Sequence, residues 1–156
     1  MQNTGLLRRI AAILYDTLLI SALLFLATLP FIAVRGGEPV EPSDNLIYRI
    51  VLVVVIYVFF VGFWSRSGRT LGMQSWGLQL ETTAGKLPSA ATASLRFFAA
   101  LISWLPLGLG FLWQLWDPEK LTWHDRISKT RLIYYPREKK EKELNLVNES
   151  APERRP

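Results

Sequence analysis

The sequence predicts an all-α membrane protein: two transmembrane helices, a broken or re-entrant third helical segment, and a small cytoplasmic β-hairpin-like pairing of two strands. Three observations carry this. Half of the 156 residues are apolar, and charge is nearly absent from three long runs, residues 10–34, 46–64 and 95–116. A soluble chain of this length does not need apolar runs that long. The remaining charges are divided unevenly among the intervening segments, as in a chain that faces two compartments.

Residues 10–34 contain one charge, Asp16. At about 1.5 Å per residue this run gives roughly 37 Å of helix, more than the roughly 30 Å hydrocarbon core. Pro30 falls near its far end, where it is tolerated. A cleaved signal peptide is the rival reading of this run. The run is too long for one, carries an acidic residue, and shows no small-x-small site before Arg35. Residues 46–64 give a second span of roughly 28 Å. Their single charge, Arg49, lies in the first turn and can snorkel to the interface. The β-branched stretch Val51–Val55 would make a poor helix in water, but in lipid the backbone must satisfy itself and the helix wins.

The third run, 95–116, is broken by Pro106-Leu107-Gly108-Leu109-Gly110. It is either one kinked span or a hairpin that enters and returns. Charge favours the hairpin. Arg8 and Arg9 precede the first run, and Arg66, Arg69, Lys86 and Arg96 lie between the second and third. The loop 35–45 instead carries Glu38, Glu41 and Asp44 against Arg35. Positive charge marks the cytoplasmic side. A full third crossing would put the many lysines and arginines after Trp116 outside, and a hairpin keeps them inside.

The organisation that follows is a cytoplasmic N-terminus at 1–9, spans at 10–34 and 46–64 joined by an external loop at 35–45, and a cytoplasmic loop at 65–94. The re-entrant segment at 95–116, a cytoplasmic segment at 117–136 and a disordered tail of mixed charge at 137–156 complete it. Trp76-Gly77-Leu78-Gln79-Leu80-Glu81 alternates apolar and polar residues, and Thr130-Arg131-Leu132-Ile133-Tyr134-Tyr135 has strand composition. A lone strand is unstable, so the two are expected to pair against the membrane face. Most of the six tryptophans flank apolar runs, as an aromatic belt would.

Asp16 needs an explanation. A carboxylate within hydrocarbon costs roughly 2.5–3.5 kcal/mol on insertion scales, so it must be paired, protonated, hydrated or turned toward protein. Arg9 lies two turns earlier on the same helical face, roughly 10 Å away along the axis and too far for a direct bond. Ala11 and Ala12 between them leave room for another segment to approach. Both charges therefore reach for a third group. Either they form a proton or cation site, or they form a buried polar lock. Near the end of the chain, Asp125 has Arg9, Arg96 and Arg126 as candidate partners. His124 is the only histidine, which excludes a multi-histidine metal site. There is no cysteine, nucleotide loop or nucleophile elbow, so no cofactor, metal or enzymatic activity is expected. The net charge of +5 follows from topology, not from nucleic-acid binding.

Three stretches together resemble one family. They are Leu7-Arg8-Arg9-Ile10 leading to Asp16, Thr70-Leu71-Gly72 followed by Trp76-Gly77-Leu78, and Leu121-Thr122-Trp123-His124-Asp125-Arg126 with Thr130. The chain resembles the RDD family of bacterial membrane proteins, named for one arginine and two aspartates. The resemblance spans roughly residues 5–135. It matches Arg9, with Arg8 as a possible substitute, to the arginine, and Asp16 and Asp125 to the aspartates. Where the family often has a basic residue after the glycine, this chain has Met73. The resemblance implies an integral protein of the cytoplasmic (inner) membrane with the lipid bilayer as its surroundings. It also implies a general function that is unknown, with transport, including cation/proton exchange, suggested for some members. Two spans and a hairpin cannot enclose a pathway, so a transport role requires a homo-oligomer or a partner membrane protein. The alternative is a non-catalytic adaptor or assembly factor with a structural Arg-Asp-Asp network. A reporter fused after residue 156 is expected to be active only in the cytoplasm, and activity confined to the outside would reverse the hairpin topology.

Overall fold

The computed structural model describes residues 5–41, 45–104, 110, 113–119 and 121–135. The loop acid Asp44, the break at 106–109 and the tail at 137–156 lie outside the described residues. Among the described residues the elements run in order: α1 (Leu6–Val34), α2 (Leu46–Ser67), α3 (Leu71–Ser75), β1 (Leu78–Thr82), α4 (Ala90–Trp104), a 3-10 turn (Trp113–Leu115), α5 (Trp123–Ile127) and β2 (Thr130–Tyr134).

Two helices among the described residues, α1 and α2, are long and apolar enough to cross a membrane. Their outer faces stay uncovered: Leu18, Phe25 and Leu26 on α1, and Val53 and Val58 on α2, are all exposed. An apolar surface this continuous is not stable in water and calls for a lipid or protein cover. The helices meet near the far end, where Thr28 Oγ lies 3.0 Å from the Tyr48 hydroxyl and Phe31 packs edge-on against Tyr48. The Asn45 side chain caps α2 by accepting from the Tyr48 N–H.

Both helices run past the bounds that charge suggested. α1 starts at Leu6, not at residue 10, so the segment 1–9 is in part helical and Arg8 and Arg9 lie within the helix. α2 continues beyond Trp64 to Ser67. Arginine and serine do not stop a helix, because propensity differences are small beside the backbone bond gained by continuing. Gly68 stops α2. It takes the left-handed conformation, φ 69°, and its N–H returns to the Trp64 carbonyl.

Gly68 also begins the docking of the sheet. Its carbonyl accepts from the Leu80 N–H at 2.7 Å, which fastens β1 to the end of α2. β1 pairs antiparallel with β2 in a register that sets Leu80 opposite Leu132 and Glu81 opposite Arg131. The pairing expected from composition is present. β1 begins two residues later than the alternation suggested, because Trp76 and Gly77 form the turn that leaves α3. Leu78 and Leu80 point inward and are fully buried. With Ala12, Val61, Trp64, Met73, Ala93 and Phe97 they form the core, which sits where α1, α2 and α4 meet the sheet. The segment 65–94 is thus a helix end, a short helix, a strand and a helix start, more ordered than the loop expected. Likewise 117–136 contains α5 as well as a strand.

The third apolar run begins earlier than expected, at Ala90, where the Ser89 hydroxyl accepts from the Thr92 N–H. It doubles back: a Cβ built on Gly110 would lie 2.7 Å from the Ser103 Cβ. Arg96, near its start, bonds to Asp125 and Thr130, beyond its end. The start of the run and the segment that follows it therefore meet beside the start of α1 and the end of α2. Trp64 departs from the expected belt: it is buried in the core, whereas Trp76, Trp113 and Trp116 are exposed.

Gly68→Ala would place a side chain at positive φ, with its Cβ 2.8 Å from the Leu80 carbonyl oxygen. Loss of more than about 1 kcal/mol of stability is expected, read as a lowered Tm in detergent.

Candidate functional site

Asp16 lies on the first turns of α1 that face α3, and it is buried. One carboxylate oxygen accepts from the Thr70 hydroxyl and the other from the Gly72 N–H at 2.8 Å. Thr70 is the N-cap of α3, and its oxygen in turn accepts from the Met73 N–H at 3.2 Å. Asp16 thus occupies the N-terminus of a neighbouring helix, where free N–H groups and a partial positive charge favour an anion. The approach requires glycine. A Cβ on Gly72 would collide with the Ala12 carbonyl and lie 2.8 Å from the Asp16 carboxylate.

Asp125 is fully buried and meets a different set of groups. Its Oδ1 accepts from Arg96 Nη1 at 2.5 Å, and its Oδ2 accepts from Arg9 Nη1 at 3.2 Å. Oδ2 also accepts from the Thr122 N–H, while the Thr122 hydroxyl accepts from the Asp125 N–H, so the two residues form the capping box of α5. Arg96 Nη1 reaches Thr130 Oγ at 2.7 Å, at the start of β2. One carboxylate therefore joins α1, α4, α5 and, through Arg96, β2.

Burial works against a charge on Asp125. Arg96 and Arg9, with the Thr122 N–H, outweigh it and hold the carboxyl well below the usual range. On His124, a base, burial acts in the opposite sense. Burial, then the positive charges of Arg96 and Arg9, lower it from 6.5 to about 3, against the opposing pull of Asp125. It is neutral at pH 7, so its 3.9 Å approach to Asp125 is not an ion pair. Its Nε2 shares a hydrogen bond with Thr122 Oγ at 2.9 Å.

The three residues singled out as a set, Arg9, Asp16 and Asp125, fall into two bonded groups. Arg9 goes to Asp125, and Asp16 goes to α3. Each charge of the first helix does reach a third group, but not the same one. Of the further candidates, Arg96 joins Asp125. Arg126 does not: it bonds Asp117 at 2.5 Å on the half-exposed side of α5, where the Leu121 N–H and Arg126 hold the Asp117 carboxyl below its usual value. Arg8 stacks on Tyr134, its guanidinium carbon 3.8 Å from the ring centroid, and so ties the start of α1 to β2.

Thr70, Gly72, Thr122 and Thr130 complete the site and were not singled out as ligands of the charges. The spacing Thr122-x-x-Asp125 spells a capping box and was readable. The contacts of Thr70 and Gly72 with Asp16 carry no local signal. No group of three or more His, Cys, Asp or Glu side chains that could hold a metal occurs among the described residues. A family model described as the RDD family matches residues 4–129. No curated protein and no solved structure matches the chain.

A histidine held neutral in the folded state, beside one that protonates freely when unfolded, makes the unfolded chain bind more protons below pH 6.5. Stability then rises with pH from about 3 to 6.5. Asp125 adds to the same trend below its ordinary value of 3.8, because its contribution is present above that value and fades as acid protonates it. His124→Gln is expected to flatten the dependence of Tm on pH between 4 and 6.5 while leaving the steeper loss at lower pH.

Proposed function

Because the chain belongs to the RDD family, we propose that its arginine and two aspartates act as a structural lock in a non-catalytic adaptor or assembly factor of the inner membrane. Family membership and two candidate membrane helices support a membrane protein. The observation that carries the locking role is Asp125, fully buried and bonded at once to Arg9, Arg96 and the backbone of α5. Both oxygens of this carboxylate are already held by donors, which disfavours a role in carrying a substrate or a travelling proton. Its effect is to hold the sheet and α5 against the ends of α1, α2 and α4, so that a basic, strand-bearing face is presented to one side. The charge asymmetry of the loops supports a cytoplasmic placement for that face and for both termini.

A second reading, cation or proton transport by an oligomer, is favoured by one observation: Asp16 and Arg9 both border a cavity. The bonds of Asp16 weigh against it, since both oxygens are already engaged by Thr70 and Gly72.

Two measurements separate the readings. Removing the charge in Asp125→Asn leaves two buried arginines without a counter-charge, and about 3–5 kcal/mol of stability is expected to be lost. Adding Arg9→Met should recover part of this, so that the double variant is non-additive. Reconstituted vesicles of the wild type under a pH gradient are expected to show no more cation or proton flux than protein-free vesicles. Saturable flux that disappears in a folded Asp16→Asn variant would overturn the lock in favour of transport.

A further inference from the structure

A cavity of about 220 Å³ lies between the sheet and helices α1, α2 and α4. Its walls are chiefly apolar, with Phe60, Leu78, Leu80, Phe97 and Leu132 among them, and it is half-open rather than sealed. Two buried donors that border it, Trp64 Nε1–H and the Nε–H of Arg96, have no hydrogen-bond partner among the described residues. Trp64 is 9% exposed and Arg96 5%. The Arg96 guanidinium carbon lies 5.4 Å from the Trp64 ring, so the two donors share one neighbourhood. A buried donor left without an acceptor carries its full desolvation cost, and native proteins seldom leave one so.

These features select a ligand. It must bring oxygen acceptors, because both orphaned groups are donors. A cation is disfavoured, since Arg9 and Arg96 border the space and both oxygens of Asp16 are engaged. Water could meet the polar groups of Arg9, Asp16, Thr70, Arg96 and His124, but it would leave the larger share of the wall, built of leucine, phenylalanine and other apolar side chains, unmatched. An apolar body with a small acceptor head satisfies both the walls and the donors. We infer that the cavity binds the head end of a long-chain acyl compound, whose carboxylate or ester oxygens accept from Trp64 and Arg96. The remainder of the chain leaves through the opening. The inference goes beyond the locking role and does not depend on it. The ligand is either a free fatty acid or the ester end of a membrane phospholipid.

The test uses the full chain in mild detergent with a palmitate that carries a photoreactive diazirine, the cross-linked peptides being mapped by mass spectrometry. Cross-links are expected on the cavity faces of α2 and α4, around Phe60 and Phe97. Displacement by oleate alone assigns the free acid, displacement by phosphatidylglycerol alone assigns the phospholipid, and either result supports the site. Ala100→Phe, which fills the cavity, is expected to abolish these cross-links. Trp64→Phe keeps the ring's bulk and removes one donor, and is expected to weaken binding of the probe about five-fold, the order one net hydrogen bond supports. Should Ala100→Phe fail to fold, the Trp64→Phe titration decides. Cross-links spread along the exposed face of α1 near Leu18 and Phe25, or binding indifferent to Trp64→Phe, would overturn the inference.

Discussion

The structure depends on one buried carboxylate. Asp125 is wholly removed from solvent and would be costly there alone, as would Arg9 and Arg96. Together, the three charges and the capping bonds of Thr122 make the burial tolerable. A well-packed apolar cluster could hold such elements together as firmly. What the ionic arrangement adds is position. The guanidinium groups of α1 and α4 converge on a carboxylate fixed by the first turn of α5, and a shift of any one element by a turn would strand a charge. The sheet inherits that placement through Thr130 and through the stacking of Arg8 on Tyr134.

The two aspartates solve the same problem by different chemistry. Asp125 is met by full positive charges. Asp16 is met by a hydroxyl and a backbone N–H at the start of α3. The second solution needs no long side chain but demands close approach, and so it depends on Gly72, whose missing Cβ leaves room for the carboxylate and the α1 backbone. The Thr-x-Gly spacing of residues 70–72 thus has a physical meaning: the threonine caps the helix and donates, and the glycine admits the acid.

Much of this was legible in the sequence, for reasons that differ by element. Apolar length is a property of consecutive residues, so α1 and α2 could be read directly. Alternation from Trp76 to Glu81 and strand composition at 130–135 announced the strands. The cost of burying Asp16 announced that it has partners. Their identity was not legible, since Thr70 lies 54 residues away and the partner of Arg9 lies 116 away. Nearness in sequence even misled: Arg126 adjoins Asp125, but successive helical residues diverge by about 100° around the axis, and it turns to Asp117 while Arg96 arrives from another helix. Trp64 was misplaced for a similar reason. Its position at the edge of an apolar run suited an interface, whereas packing of α4 and the sheet encloses it.

The bond from Arg9 to Asp125 has an implication for biogenesis. It joins the first turn of α1 to a residue 116 positions later in the chain. Until Asp125 has been made, Arg9 lacks the carboxylate that it bonds in the folded chain, and a buried cation without that counter-charge is costly. Synthesis of α5 then supplies that counter-charge. A chain cut short before α5 would lack this carboxylate, and with it the contact that joins α1, α4 and β2.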